Sequence, residues 1–333
     1  MNSMGRHSYF AFGLRLSSNI PLHWLGPECA AGEQPGVLID CFDLDEASMD
    51  VQRGELLYES KLQFGGIPYY VLHRTDRGDM FSYCDDVHIL LESNRITAYT
   101  TEKERYRILQ SRLLSCVIAY WLEQRGVSML HASSIKVGEG AVGFLADSGM
   151  GKSTMAAHFV ARGNEMLSDD LLACRVVDQR AEALPMFSSL RLYPAQVERF
   201  FGATEGIETV QPYEDKLRLD GGAHGYGRFC GGAQKLSGLY FLERVPDAER
   251  PVEILPVGPA TAIQNLTYHS FITLVAWATG MTALRFSALT EIANCVPVCR
   301  IVYRSGFENL EAVYDALSQD VERVAIARSV SYG

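Results

Sequence analysis

Two adjacent carboxylates, Asp169 and Asp170, follow Lys152, the lysine of a Gly-Lys-Ser sequence, with Asp169 seventeen positions on. The full octet is Ala146-Asp147-Ser148-Gly149-Met150-Gly151-Lys152-Ser153. It fits the pattern of a phosphate-cradling turn that opens a helix, with Ala146 where the first Gly usually stands. Backbone N–H groups of Asp147 to Thr154 would point at phosphate oxygens, and the helix that follows adds the positive end of its dipole. Lys152 would bridge the terminal phosphates of a nucleotide, and the Ser153 hydroxyl would be a ligand to Mg²⁺. The Asp pair supplies what such a loop lacks: one carboxylate to organise Mg²⁺ and one to take the proton of an incoming hydroxyl. Either aspartate can fill either role. Alternatively, the pair caps a turn or is merely solvated.

These residues need particular elements to hold them. Ala141–Ala146 reads as a short apolar strand running into the loop, and Thr154 to Arg162 as a helix that Gly163 ends. Residues 166 to 177 form an apolar strand interrupted by the two aspartates. Consecutive strand residues point to opposite faces, so Asp169 and Asp170 can share a site only where the strand stops. Val127 to Val137 reads as a strand pairing with 141–146 across Gly138-Glu139-Gly140. It carries His131, twenty-one residues before Lys152.

In this order and at these spacings, His131, Ala146–Ser153 and the Asp169-Asp170 pair resemble the bacterial HPr kinase/phosphorylase family. The resemblance implies an α/β fold: a P-loop kinase domain of the HPr kinase and phosphoenolpyruvate carboxykinase-like type. It also implies ATP and Mg²⁺, a serine hydroxyl as acceptor, and His131 beside the transferred group or the base. Ala119–Gly126, Leu130–Ser133 and Leu167–Leu172 are similar to a divergent branch found with lasso-peptide biosynthesis. Members of that branch phosphorylate the C-terminal serine of a precursor peptide, so the resemblance implies a peptide partner. It covers residues 110–250 best. Thr154 stands where HPr kinases carry Glu, and Ser189–Pro194 occupies the approximate place of their Glu-Ile-Arg-Gly stretch. Nucleotide chemistry therefore carries over better than the identity of the acceptor. A kinase of a metabolite or folded protein, and a nucleotide-driven switch without transfer, are the competing readings.

Composition bears on what the chain binds. It has 333 residues, of which 47% are apolar and 21% charged, with a net charge of −10. Lys and Arg never run beyond two, and nucleic-acid binding, which needs a basic face, is disfavoured. No apolar run approaches a spanning helix and no signal-peptide layout opens the chain, so no membrane partner and a cytoplasmic location are expected. The eight cysteines include no Cys-x-x-Cys pair and read as buried free thiols. A homo-oligomer stays open.

The remaining elements fall into two expected domains. Residues 1–105 read as a β-rich N-terminal module, including a strand over Tyr9–Leu16 and a hairpin of His88–Glu92 with Arg95–Tyr99. Residues 106–333 form the expected catalytic domain, opening with a helix over 104–125 that spans the boundary. Residues 203–235 read as one long loop, of the kind that marks a mobile functional segment. Arg191, Lys216 and Arg218 are candidate cations for the charge that develops during phosphoryl transfer, whereas His224 reads as a loop residue without chemistry. Amphipathic helices are expected over 259–280 and 307–319, with a strand at Val298–Tyr303 between them.

Overall fold

The computed structural model describes residues 6–26, 28–30, 35–44, 53–84, 86–100, 106–187, 189–202, 205–210, 215–220 and 226–331. His224 lies outside them. The chain divides into two compact units, Met1–Gly126 with Ile272–Arg285, and Val127–Phe271 with Phe286–Gly333. This division falls after the helix that was expected to open the second domain. That helix belongs to the first unit: Tyr120 donates its hydroxyl to Asp79 at 2.7 Å and the Trp121 indole N–H donates to the Glu92 carbonyl at 3.0 Å.

The first unit is built on an eight-stranded sheet. Its hairpin of His88–Leu91 and Arg95–Thr100 pairs Ile96 with Leu91, as the sequence predicts. The run Tyr9–Leu16, expected as one strand, is instead a tight hairpin of His7–Ala11 and Leu14–Ser18. Phe12 and Gly13 at its tip both take positive φ, 58° and 71°, which is the geometry a two-residue hairpin loop requires. Burial of the Phe12 ring offsets the cost of that conformation. The helical segment is Tyr106–Arg112 and Ile118–Glu123, joined by a wider turn over Leu113–Val117 where Leu114 and Ser115 leave helical geometry.

The second unit is a ten-stranded mixed sheet with helices on both faces. At its centre, Gln234–Val245 lies parallel to Gly140–Leu145 on one side and to Val298–Arg304 on the other. Helices Lys152–Ala161, Pro194–Phe201 and Leu310–Ser331 bury one face around Phe144, Phe159 and Leu317. The other face packs Leu145, Leu239 and Leu289 among the residues of Pro259–Tyr268 and Thr282–Cys295. Burying each such side chain contributes roughly 1.5–3 kcal/mol. Strands buried on both sides explain the near-continuous apolar runs at 141–146 and 236–242.

Four expectations need correction here. The strand predicted over 127–137 breaks at His131: Ser128–Leu130 pairs with Leu172–Val177, while Ala132–Val137 pairs with Gly140–Leu145. The helix predicted over 259–280 is two, Pro259–Tyr268 and Thr273–Ala278. Between them, the His269 carbonyl accepts from the His131 N–H at 2.7 Å, and the Phe271 N–H donates to the Met129 carbonyl at 2.9 Å. Pairing with a strand has overridden local helix propensity, with no Gly or Pro to announce it. Residues 203–235 contain two short strands, Leu217–Asp220 and Arg228–Phe229, and the start of a third. The last helix, expected to end at 319, runs to Ser331.

Candidate active site

The loop between Gly140–Leu145 and Lys152–Ala161 turns on two glycines. Gly149 and Gly151 take φ of 78° and 102°, conformations that cost any other L-residue about 1–2 kcal/mol. Gly151 is the N-cap of the helix, and its carbonyl accepts from the Met155 N–H at 2.9 Å. Ala146 is not among the residues with positive φ and packs its methyl into the core, so this position places no demand for glycine. Lys152, a residue only 6% exposed, donates its ammonium to the Ala146 and Asp147 carbonyls at 2.7 and 3.3 Å. Burial lowers its pKa, and the charges of Asp170, Asp169 and Asp147 oppose that shift.

The strand carrying the aspartates does end where they stand. Glu165–Ser168 stops before Asp169, Leu172–Val177 begins after Leu171, and Asp170 adopts a left-handed φ of 68°. This break resolves the alternation constraint: Asp169 reaches Ser153, and the Asp170 charge acts on Lys152.

Asp169 is 1% exposed. Its Oδ1 accepts from the Ser133 hydroxyl at 2.5 Å, the Ser153 hydroxyl at 2.9 Å and the Asp170 N–H at 3.1 Å, and its Oδ2 accepts from the Arg191 N–H at 3.0 Å. Burial and the neighbouring Asp170 charge raise its pKa, and these donors work in the opposite direction. Four donors satisfy an acceptor-only carboxylate. With the Ser153 proton directed at Asp169, the lone pairs of that hydroxyl oxygen are left for a cation. Mg²⁺ is typically held by one or two protein oxygens together with phosphate oxygens and water; the Ser153 oxygen would be such a ligand, its hydroxyl oriented by Asp169.

Asp170 is placed differently. Its side chain is 26% exposed, and its Oδ2 accepts from Arg191 Nη1 at 2.9 Å. Burial alone would raise its pKa, but Arg191, His131, Lys216 and Lys152 together carry it below the ordinary carboxylate value. His131 lies against Phe271, with ring centroids 6.2 Å apart and planes 15° from parallel. Burial and the Lys152 charge lower the His131 pKa, leaving the imidazole neutral near pH 7.

Most of the predicted site residues converge. The loop, Lys152, Ser153, His131, both aspartates and Arg191 act on one another, and the Lys216 charge reaches His131, Lys152 and Asp170. Two candidates are engaged elsewhere. Arg218 donates two hydrogen bonds to Asp220, both 2.8 Å, and the Thr154 hydroxyl accepts from Gln196 at 2.7 Å. The Gln196 bond ties helix Pro194–Phe201 to the start of the loop's own helix.

Four contributors are not found from sequence. Ser133 reads as ordinary strand interior, and Gln196 carries no signal. Tyr303 lies at the end of a strand parallel to its neighbour, the customary edge for ligand contacts; a Cβ on Gly151 would meet its hydroxyl at 3.4 Å. His269 is hidden inside the helix expected over 259–280. Burial lowers its pKa, with the charges of Asp147, Lys152 and His131 acting on it.

Among the described residues, no helix is long and apolar enough to cross a membrane. No protein-family model matches the chain, and no curated protein matches it. Among solved structures, it is similar to the Hpr(Ser) kinase/phosphatase from Coxiella burnetii at 10% identity, over 61% of this chain and 96% of that one. The TM-score is 0.34, and a likeness this faint adds no weight to the argument from the residues.

Proposed function

We propose that the chain is an ATP-dependent kinase that transfers the γ-phosphoryl group to a serine hydroxyl of a peptide, such as the C-terminal serine of a precursor peptide. The observation that carries this reading is the division of labour between the aspartates. Asp169 is committed to the Ser153 hydroxyl, whereas Asp170, one residue on and partly exposed, keeps an oxygen beyond its Arg191 contact. A protein that only switched on nucleotide binding would have no use for the second carboxylate.

The loop N–H groups and Lys152 would hold the phosphates, and Ser153, oriented by Asp169, would hold Mg²⁺. When bound, Mg²⁺ neutralises phosphate charge and polarises the transferred group. Asp170 accepts the proton of the attacking hydroxyl, and Arg191 fixes the orientation of that carboxylate. His131, neutral, packs beside Asp170 and Lys152 and contributes a polar edge without a competing charge. The pKa of Asp170 keeps it ionised at neutral pH, so it is ready to accept without prior deprotonation.

The test is the intact mass of a serine-ended peptide incubated with the protein, ATP and Mg²⁺. A gain of one phosphoryl group that disappears when the serine becomes alanine supports the reading. Unchanged peptide, with ATP binding confirmed in the same sample, refutes a peptide acceptor.

A further inference from the structure

Strands Ser189–Leu192 and Leu217–Asp220 pair as a two-stranded antiparallel sheet with two chemically different faces. Leu190, Leu192, Leu217 and Leu219 are buried in the core cluster under the sheet. Side chains alternate along a strand, and directly opposed residues share a face. Arg191 and Arg218 are opposed on the other face. One step along, the Lys216 ammonium lies 5.5 Å from the centroid of the Tyr193 ring. This second face is therefore basic and aromatic, and Arg191 joins it to Asp170.

The charges on this face do not balance locally. Arg191 has Asp170 and Arg218 has Asp220. For Lys216, no carboxylate of the described residues lies within the 4.0 Å of an ion pair. Its backbone is nonetheless fixed, since the Val210 N–H donates to the Lys216 carbonyl at 2.9 Å and Leu217 is in the antiparallel ladder. Tyr193, 50% exposed, offers a ring wall beside it. An ammonium carried on a fixed backbone and backed by an exposed ring, next to the arginine that holds the base, is suited to a carboxylate on the acceptor.

Resting on the kinase reading above, we infer that Lys216 and Tyr193 form an acceptor subsite that binds a carboxylate adjacent to the reacting serine hydroxyl. That carboxylate is either the terminal one of the serine itself or the side chain of an acidic neighbour. Lys216 then selects the acceptor and does not stabilise the transferred phosphoryl group. Tyr193 lines the carbon backbone of the bound residue.

Three peptides decide the matter: one ending in serine acid, one ending in serine carboxamide, and a carboxamide peptide with aspartate before the serine. Each is titrated against wild type, Lys216→Gln and Lys216→Arg by fluorescence anisotropy, with phosphoryl transfer followed in parallel. The expected result is about tenfold tighter binding of the acid than of the carboxamide by wild type, the scale of one charge-assisted hydrogen bond. Lys216→Gln abolishes the preference, and Lys216→Arg retains most of it. Recovery of affinity by the aspartate peptide assigns the subsite to a side-chain carboxylate, and no recovery assigns it to the terminal one.

A wild type that transfers to all three peptides but binds them with equal affinity overturns the inference and leaves the kinase reading intact. So does a Lys216→Gln variant whose kcat falls equally with both peptides at unchanged affinity, because Lys216 would then act on the phosphoryl group. No transfer to any peptide by wild type, with ATP bound, overturns the kinase reading and this inference with it.

Discussion

The Ser153 hydroxyl and Asp169 Oδ1 are 2.9 Å apart, and that contact joins the phosphate loop to the strand end that carries the acidic pair. Because Asp169 also collects Ser133, the Asp170 N–H and the Arg191 N–H, it is the fixed point around which the site is assembled. Asp169→Asn replaces one acceptor oxygen with a donor and so conflicts with at least one of four bonds. The expected outcome is a loss of transfer of about 10² or more. Nucleotide affinity measured without Mg²⁺ should stay within a few-fold, while the gain in affinity on adding Mg²⁺ disappears. Isothermal titration with and without the metal reads both.

Arg191 controls the protonation of the base. Burial raises the Asp170 pKa and Arg191 is the largest influence against it. In Arg191→Met the base therefore titrates at a higher pH, and the acid limb of the pH–rate profile moves upward. Arg191→Lys, which keeps the charge without the planar fork, should shift the limb less while still lowering kcat. Single-turnover rates between about pH 4 and 8, a range spanning the ordinary carboxylate value and neutrality, check this. An acid limb that stays in place for the methionine variant contradicts the pairing.

Three partly buried histidines, His131, His158 and His269, have their pKa values lowered first by desolvation. Each then binds a proton more tightly in the unfolded chain than in the fold. Their contribution to stability is complete above the ordinary value of about 6.5 and is lost as pH falls through it towards the lower folded values. The melting temperature should thus drop between about pH 7 and pH 5.5. His158 lies outside the catalytic cluster, packed near Phe159, Phe200 and Tyr314. His158→Gln should flatten the drop without altering the pH dependence of nucleotide binding.

The loop makes unequal demands on its small residues. Gly151→Ala places a side chain at a φ of 102° and brings its Cβ to 3.4 Å from the Tyr303 hydroxyl. A stability loss of about 1–2 kcal/mol is expected, together with weakened ATP binding. Ala146→Gly, which restores the usual first glycine of such loops, should not improve ATP affinity. It should cost roughly 0.5–1 kcal/mol through chain entropy. Denaturant midpoints and ATP titrations of the two variants check the contrast.

The site is more legible in the sequence than the scaffold is. Gly149, Gly151, Lys152 and Ser153 can be read because a phosphate turn constrains consecutive residues, and the adjacent aspartates could work together only at a strand end, which is where they lie. His269 and Gln196 cannot be read, since each reaches the site through tertiary pairing that leaves no local pattern. The misread elements are those where local periodicity continues through a change of partner. Residues 259–280 keep helical periodicity while the backbones of His269 and Phe271 bond to a strand and its end. Tyr9–Leu16 keeps its apolar character through a turn whose only glycine is Gly13.

The most direct test of the account is single-turnover phosphoryl transfer to a serine-ended peptide by wild type, Asp169→Asn and Asp170→Asn, with ATP binding measured in the same samples. Both variants are expected to bind ATP and both to lose transfer, Asp170→Asn by about 10²–10⁴, the usual contribution of a positioned base. Transfer at the wild-type rate by Asp170→Asn would contradict it.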